Sequence, residues 1–193
     1  MDLLKKLKDN NYSFNIEIIG QGDMQYEIKR LIDKEGLNDR VYLLGPMPPE
    51  EVRKHMEQAN IYVFTSDYVE GWGAVLNEAM NSGCACIASH AIGSAGFLIK
   101  DNSNGLIYEN NNIDDLYEKT LMLIKDREYC KKLGINAYKT ITNTWNAKVA
   151  AERFLILAKA LEEGKDTPFV EGPCSKAIPI KQKDMYNYLV NNG

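Results

Sequence analysis

Apolar residues along this chain follow two rhythms. Short runs with few polar breaks occur at FNIEIIG (14–20), VYLLG (41–45), IYVFTS (61–66), CACIAS (84–89) and NGLIYE (104–109). Runs of this length, bounded by glycine and polar turns, predict buried strands. Between the first four runs the period lengthens to that of a helix. In 24–36, Met24, Ile28, Leu31 and Ile32 share one face and Gly36 supplies a stop. Pro48 and Pro49 open the next helix, with Glu50 and Glu51 in its first turn and Val52, Met56 and Ala59 directed inward. After Gly73 a third helix turns Leu76, Ala79 and Met80 inward and stops at Gly83. Strand alternating with helix predicts an α/β fold, a Rossmann-like parallel sheet with right-handed crossovers and flanking helices. Three helical stretches follow. Their stripes are Ile113, Leu116, Tyr117, Thr120, Leu121 and Ile124 in 113–125, then Cys130, Leu133, Ala137 and Ile141 in 127–142, then 145–161. From Glu162 the period is lost among prolines and glycines. The expected organisation is one domain over 1–161 and an extended tail over 162–193.

Size and charge narrow the function. A chain of 193 residues is the length of one domain. A net charge of −4 gives no electrostatic footprint for nucleic acid. No apolar run reaches the roughly 18 residues of a membrane span. The N-terminus MDLLKKLKDNNYS is basic but has neither the apolar centre nor the cleavage site of a signal peptide. A cytoplasmic protein is expected. Cys84, Cys86 and His90 could be read as metal ligands, but no second cysteine pair supplies the usual spacing. The cysteines read better as small apolar residues of a strand, and no metal is expected. His55 lies within a helix and is assigned a structural role.

Ligands of parallel sheets bind at the carboxyl ends of the strands. Here those ends are Gly20-Gln21-Gly22-Asp23, Gly45-Pro46-Met47, Ser66 to Gly73, and His90 to Phe97. Gly20 and Gly22 form half of a dinucleotide fingerprint, but Gln25 stands where the third glycine belongs. That argues against a nicotinamide enzyme. The stretch EGWGAVLNEAM (70–80) says more. Gly71 and Gly73 leave room for a ligand to approach the backbone. The amides of Gly73, Ala74 and Val75 then open a helix, where unpaired donors and partial positive charge suit a phosphate. Glu70 precedes this point and Glu78 follows it, at most about 12 Å apart. Carboxylates accept hydrogen bonds from hydroxyls, so a phosphate between them would place a polyol on either side. Taken alone, the two acids are also compatible with a first-turn acid and a solvated glutamate.

The same stretch resembles the E-x7-E signature of the family 4 retaining glycosyltransferases, enzymes of the GT-B fold. The resemblance extends in order and spacing through IEIIGQGDMQYEIKRLI, VYLLGPMPPEEV, ANIYVFTS, EGWGAVLNEAMNSGCACIAS and NGLIYENNNIDDLYEKTLMLIKD, covering roughly residues 14 to 155. It implies the half of a GT-B enzyme that binds a nucleoside-diphosphate sugar as donor substrate, with no further cofactor and no metal. By motif position Glu70 is the implied catalytic-site acid, bonded to the transferred sugar. Gly71, Trp72 and Gly73 would present backbone to that sugar, Ala74 and Val75 amides to the phosphate, Glu78 a carboxylate to the ribose, and Met47 a side chain beside the base. His90, Gly20 and Gly22 are further candidate donor contacts. Two departures stand out. Nothing corresponds to the N-terminal acceptor-binding domain, which would have to act in cis or in trans. Lys5, Lys6 and Lys8 read as a solvated helix face rather than as the basic pair that neutralises the diphosphate in relatives. The rival readings are a separate donor-binding subunit, a sugar-nucleotide epimerase and, more weakly, a dehydrogenase. The apolar residues of the tail are expected to fold back on the sheet or to dock on a second chain, including another copy of this one. The resemblance leaves room for peripheral membrane association of a full-length enzyme.

Overall fold

A computed structural model describes residues 1–191. Its strands are β1 (Ile16–Ile19), β2 (Val41–Gly45), β3 (Ile61–Phe64), β4 (Ala85–Ser89) and β5 (Leu106–Tyr108). Helix α1 (Asp2–Asp9) precedes β1. Helices α2 (Gln25–Lys34), α3 (Pro49–Gln58) and α4 (Ala74–Asn81) connect the first four strands, and the short α5 (Ala95–Leu98) follows β4. Helices α6 (Ile113–Lys125), α7 (Arg127–Asn143) and α8 (Ala147–Glu162) come next, and α9 (Met185–Asn191) closes the described chain. Every strand pair is parallel. The α/β architecture of parallel strands and flanking helices is the one expected.

The sheet itself is divided. One ladder pairs β1 with β2, the other runs β3-β4-β5, and no ladder joins β1 to β3 among the described residues. The two nonetheless share one apolar cluster. Ile16 and Ile18 of β1 and Ile61 and Val63 of β3 pack with Leu3, Leu4 and Leu7 of α1 and with Leu116 and Leu121 of α6. Strand β4 is covered on both faces and all five of its residues are fully buried. An unbroken apolar run is what such a strand requires. Helix α7 closes on the start of β4 because residue 134 is glycine. A Cβ there would lie 2.2 Å from the Gly83 carbonyl oxygen.

Three expectations shift. Met24 does not face the core: it caps α2 and is 57% exposed. Ala59 lies one residue past the end of α3 and is exposed. The tail is extended only in part. Helix α9 folds back, burying Leu189 in the core, and Tyr186 Oη donates to the Asp115 carboxylate at 2.8 Å. Val170 and Ile178 remain exposed. The least buried helix is α8, inside the expected domain: it buries no residue, and Phe154, Leu155, Ile156 and Leu161 are exposed. No described helix is long and apolar enough to cross a membrane.

Candidate functional site

The loop from β3 to α4 is built before any ligand is considered. Asp67 accepts from Val69 N at 2.9 Å through its side chain and from Glu70 N at 3.0 Å through its carbonyl, a turn that fixes where Glu70 begins. The loop is then locked to the one after β4. Ser94 N donates to the Trp72 carbonyl at 2.9 Å, and a Cβ on Gly93 would lie 1.9 Å from the Gly71 carbonyl oxygen.

Gly71 and Gly73 are glycines for different reasons. Gly73 is the N-cap of α4 at φ +76°, and a Cβ there would meet Phe64 at 2.8 Å and Ile92 at 3.0 Å. It is required by the fold, whatever binds. A Cβ on Gly71 would meet nothing within 4 Å, so the described structure does not itself require glycine there. Helices α6, α7 and α8 are capped by the side chains of Asn112, Asp126 and Asn146. Helix α4, like α1, α2, α3 and α5, has no side-chain cap, and Ala74 and Val75 at its start are exposed. Its first amides are open to an external acceptor.

Glu70 lies in the loop before this helix start and Glu78 about one turn inside the helix. Glu70 is half-buried and Glu78 exposed, and among the described residues neither carboxylate has a hydrogen-bond or ion-pair partner. Both act on one group. The Tyr62 phenol is pushed up to about 12, by burial foremost and then by Cys86, Glu78, Cys84 and Glu70 in falling order. Unpaired carboxylates on either side of uncapped amides are a poor structural economy but a usable set of acceptors and donors.

The remaining candidates fall in three places. Trp72 is exposed, with Nε1 donating to Asn77 Oδ1 at 2.8 Å and its ring 5.6 Å from Phe97 and 5.8 Å from Trp145. Gly20, Gly22 and Met47 belong to the other ladder, where Gly20 N donates to the Gly45 carbonyl at 2.9 Å and Met47 is half-buried. His90 is buried with both ring nitrogens engaged. Nδ1 accepts from Asn110 N at 2.9 Å, so in the neutral ring the proton sits on Nε2 and points to Tyr68 Oη at 2.7 Å. Burial lowers the His90 pKa and favours that neutral form, against smaller opposing effects of Tyr108, Glu109 and Asp115. Tyr68 is exposed, and its own hydroxyl proton is left to turn outward. His90 therefore reaches the surface through Tyr68. Sequence reasoning passed over Tyr68, whose only signal was its place two residues before Glu70, and also Asn77, Phe97 and Trp145.

Cys84 and Cys86 face the core. Cys84 Sγ donates to the Met56 carbonyl at 3.1 Å, and burial pushes its thiol up to about 11 and that of Cys86 well above the usual value. These are protonated packing residues. His55 Nδ1 lies 2.8 Å from Glu17 Oε2, a tie between α3 and β1. A concavity of about 350 Å³ lies away from Glu70 and Glu78, against Lys100, Asn136, Lys139 and Glu171, and shares Phe97 and Trp145 with the Trp72 cluster.

The profile of the family Glycosyl transferases group 1 matches residues 1–140. A poly(ribitol-phosphate) alpha-N-acetylglucosaminyltransferase of Staphylococcus aureus is 31% identical over 150 residues, 78% of this chain and 29% of that enzyme. A mutant of S. aureus TarM, crystallised with fondaparinux, alpha-GlcNAc-glycerol and UDP, superposes with a TM-score of 0.68 at 27% identity, over 80% of this chain and 32% of that one. The C-terminal domain of a group 1 glycosyl transferase (LpcC) from Francisella tularensis superposes at 0.63 with 25% identity, over 75% of each chain. The chain thus spans well under half of the curated relatives it matches.

Proposed function

Because the chain belongs to the group 1 glycosyl transferase family and has the fold of the C-terminal half of a GT-B enzyme, we propose that it is the donor-binding half of a retaining glycosyltransferase. The observation that carries this reading is the pair of unpartnered carboxylates, Glu70 and Glu78, flanking the uncapped start of α4. The diphosphate of a nucleotide sugar lies on the amides of Ala74 and Val75. Glu78 accepts from the ribose hydroxyls and Glu70 from the hydroxyls of the sugar to be transferred. Met47 approaches the base, Gly20 and Gly22 line the far wall, and Tyr68, held by His90, offers one further donor. Preorganised amides facing the departing diphosphate supply electrostatic stabilisation of the transition state. Glu70 orients the sugar and does not attack it. The UDP held by the related TarM crystal makes uridine diphosphate sugars the first donors to try.

Transfer also needs an acceptor hydroxyl held close to the anomeric carbon and water kept out. Those tasks belong to an acceptor-binding half, in cis or in trans, and the exposed apolar face of α8 is the surface such a half would cover. The reading predicts binding without turnover. Calorimetry of residues 1–193 against UDP-glucose, UDP-N-acetylglucosamine and GDP-mannose should show one saturable donor site. A radiolabelled-sugar assay on the same sample should show no acceptor glycosylation. Robust transfer by this chain alone, or no binding of any nucleotide sugar, would overturn it.

A further inference from the structure

The tail returns to the candidate site at its last described helix. On the way it is tied to the domain: the Arg153 guanidinium of α8 lies over the Phe169 ring at 4.7 Å, and Lys100 Nζ pairs with Glu171 at 2.6 Å. Helix α9 then settles against the two loops that leave β4 and β5. Leu189 is buried in the cluster that holds Ile92, Ala95 and Leu98. It fits there because residue 96 is glycine, where a Cβ would lie 3.1 Å from Leu189 Cδ2. Tyr186 grips the other loop. Its hydroxyl donates to Asp115 Oδ2 at 2.8 Å, and the same oxygen accepts from Glu109 N at 2.7 Å. Burial, ahead of Asp115 itself, holds the Tyr186 phenol well above its ordinary range, so it stays protonated and remains the donor.

These contacts meet at His90. Asn110 N donates to Nδ1 at 2.9 Å, the Tyr186 ring stands 5.5 Å from the imidazole, and Nε2 lies 2.7 Å from Tyr68 Oη. Asp115 fixes the backbone one residue before Asn110, so Tyr186 braces both the ring and the loop that sets its tautomer. The tautomer decides what Tyr68 offers. With the proton on Nε2, Tyr68 accepts from His90 and its own proton turns outward. With the proton on Nδ1, Tyr68 would donate inward and show a lone pair to the crevice. A run of contacts thus leads from the C-terminal helix to a side chain two positions before Glu70.

We propose that α9 is a working part of the donor site, with Tyr186 and Leu189 as positioning residues that hold His90 so that the Tyr68 hydroxyl donates to an oxygen of the bound nucleotide sugar. This rests on the reading of the chain as a donor-binding half. Neither positioning residue touches the ligand. Tyr186 acts through His90 and Tyr68. Leu189 acts through the loop after β4, which is itself locked to the Trp72 carbonyl by Ser94 N at 2.9 Å.

The test is a double-mutant cycle in residues 1–193, read by calorimetry with UDP-N-acetylglucosamine and by nitrogen NMR of the His90 ring. Tyr68→Phe should weaken binding about three- to tenfold, the worth of one neutral hydrogen bond. Tyr186→Ala should weaken it by a similar factor. It should also draw together the two ring-nitrogen shifts of His90, well separated in the parent, as the tautomers mix. Tyr186→Phe keeps the ring beside His90 and should recover most of the affinity and of the separation. In a Tyr68→Phe background, Tyr186→Ala should cost no further affinity. Leu189→Val loosens α9 more gently and runs through the same cycle, so the outcome does not hang on one variant folding. An equal loss from Tyr186→Ala with and without Tyr68 would show that α9 only supports the fold and would overturn the proposal. So would unchanged His90 signals in folded Tyr186→Ala. Absent binding by the parent would remove the donor reading and this proposal with it, whereas intact parental binding without coupling would remove the proposal alone.

Discussion

The ladder β3-β4-β5 and the ladder β1-β2 are written in the same alphabet and reach different states. ACIAS and IEII are both short apolar strands, yet every residue of β4 is buried while β1 leaves Ile16, Ile18 and Ile19 half-open and Glu17 exposed. The difference lies in neighbours. Strand β4 has β3 and β5 on its edges, with α4 and α7 packed against it. Among the described residues strand β1 has a partner on one edge only. One side of the molecule is closed on itself, and the other leaves the apolar side chains of β1 half-buried. The candidate site sits on the seam, with Glu70, Gly71 and Glu78 on the closed side and Gly20, Gly22 and Met47 on the open one.

Truncation separates the two sides most sharply. Ile87→Ala in β4 should cost about 2–5 kcal/mol in urea unfolding, and Ile18→Ala in β1 about 1 kcal/mol, because that side chain is already partly exposed. Equal losses would erase the comparison. Glu78→Ala should weaken binding of a nucleoside diphosphate by roughly 10- to 150-fold, the worth of an ionised acceptor, with unfolding unchanged within about 0.5 kcal/mol. Unchanged affinity in the folded variant would remove Glu78 from the site. The two glycines sharpen the seam further. Gly73→Ala should destabilise the fold by about 2 kcal/mol, since a left-handed φ and contact with Phe64 both resist a Cβ. Gly71→Ala should leave melting unchanged and reduce nucleotide-sugar affinity about tenfold. If Gly71→Ala bound donor as well as the parent, the ligand would have to approach elsewhere.

The smallest expected effect is a pH response from His90. Its folded pKa lies below the ordinary 6.5, so protonation favours the unfolded chain. Stability is undiminished above the unfolded value and falls as pH drops from 6.5 toward the folded value. Melting temperature should therefore decline between pH 7.5 and 5.5, and by less in His90→Asn. Equal declines in both proteins would show that groups other than His90 account for the response.

Much of this was legible in the chain. The five strand positions, the parallel α/β class and the helix start after Gly73 follow from run length, period and glycine placement. What could not be read was set by long-range contacts. Met24 fits its helical stripe, but it sits at the cap and is exposed. Gly71 and Gly73 look alike in sequence, and only the positions of Phe64 and Ile92 distinguish them. His90 looks like a free loop histidine until Asn110, Tyr68 and Tyr186 close around it. The division of the sheet was invisible, since apolar runs announce strands but not which strands become neighbours.

The central claim is that a nucleotide sugar binds across the start of α4. Amide chemical-shift mapping of residues 1–193 during titration with UDP-N-acetylglucosamine tests it most directly, and it reads weak binding as well as tight. The account predicts the largest shifts at Gly71, Ala74, Val75 and Glu78, with smaller ones at Gly20 and Met47. Shifts centred on Asn136 and Lys139, or none at saturating nucleotide sugar, would contradict it.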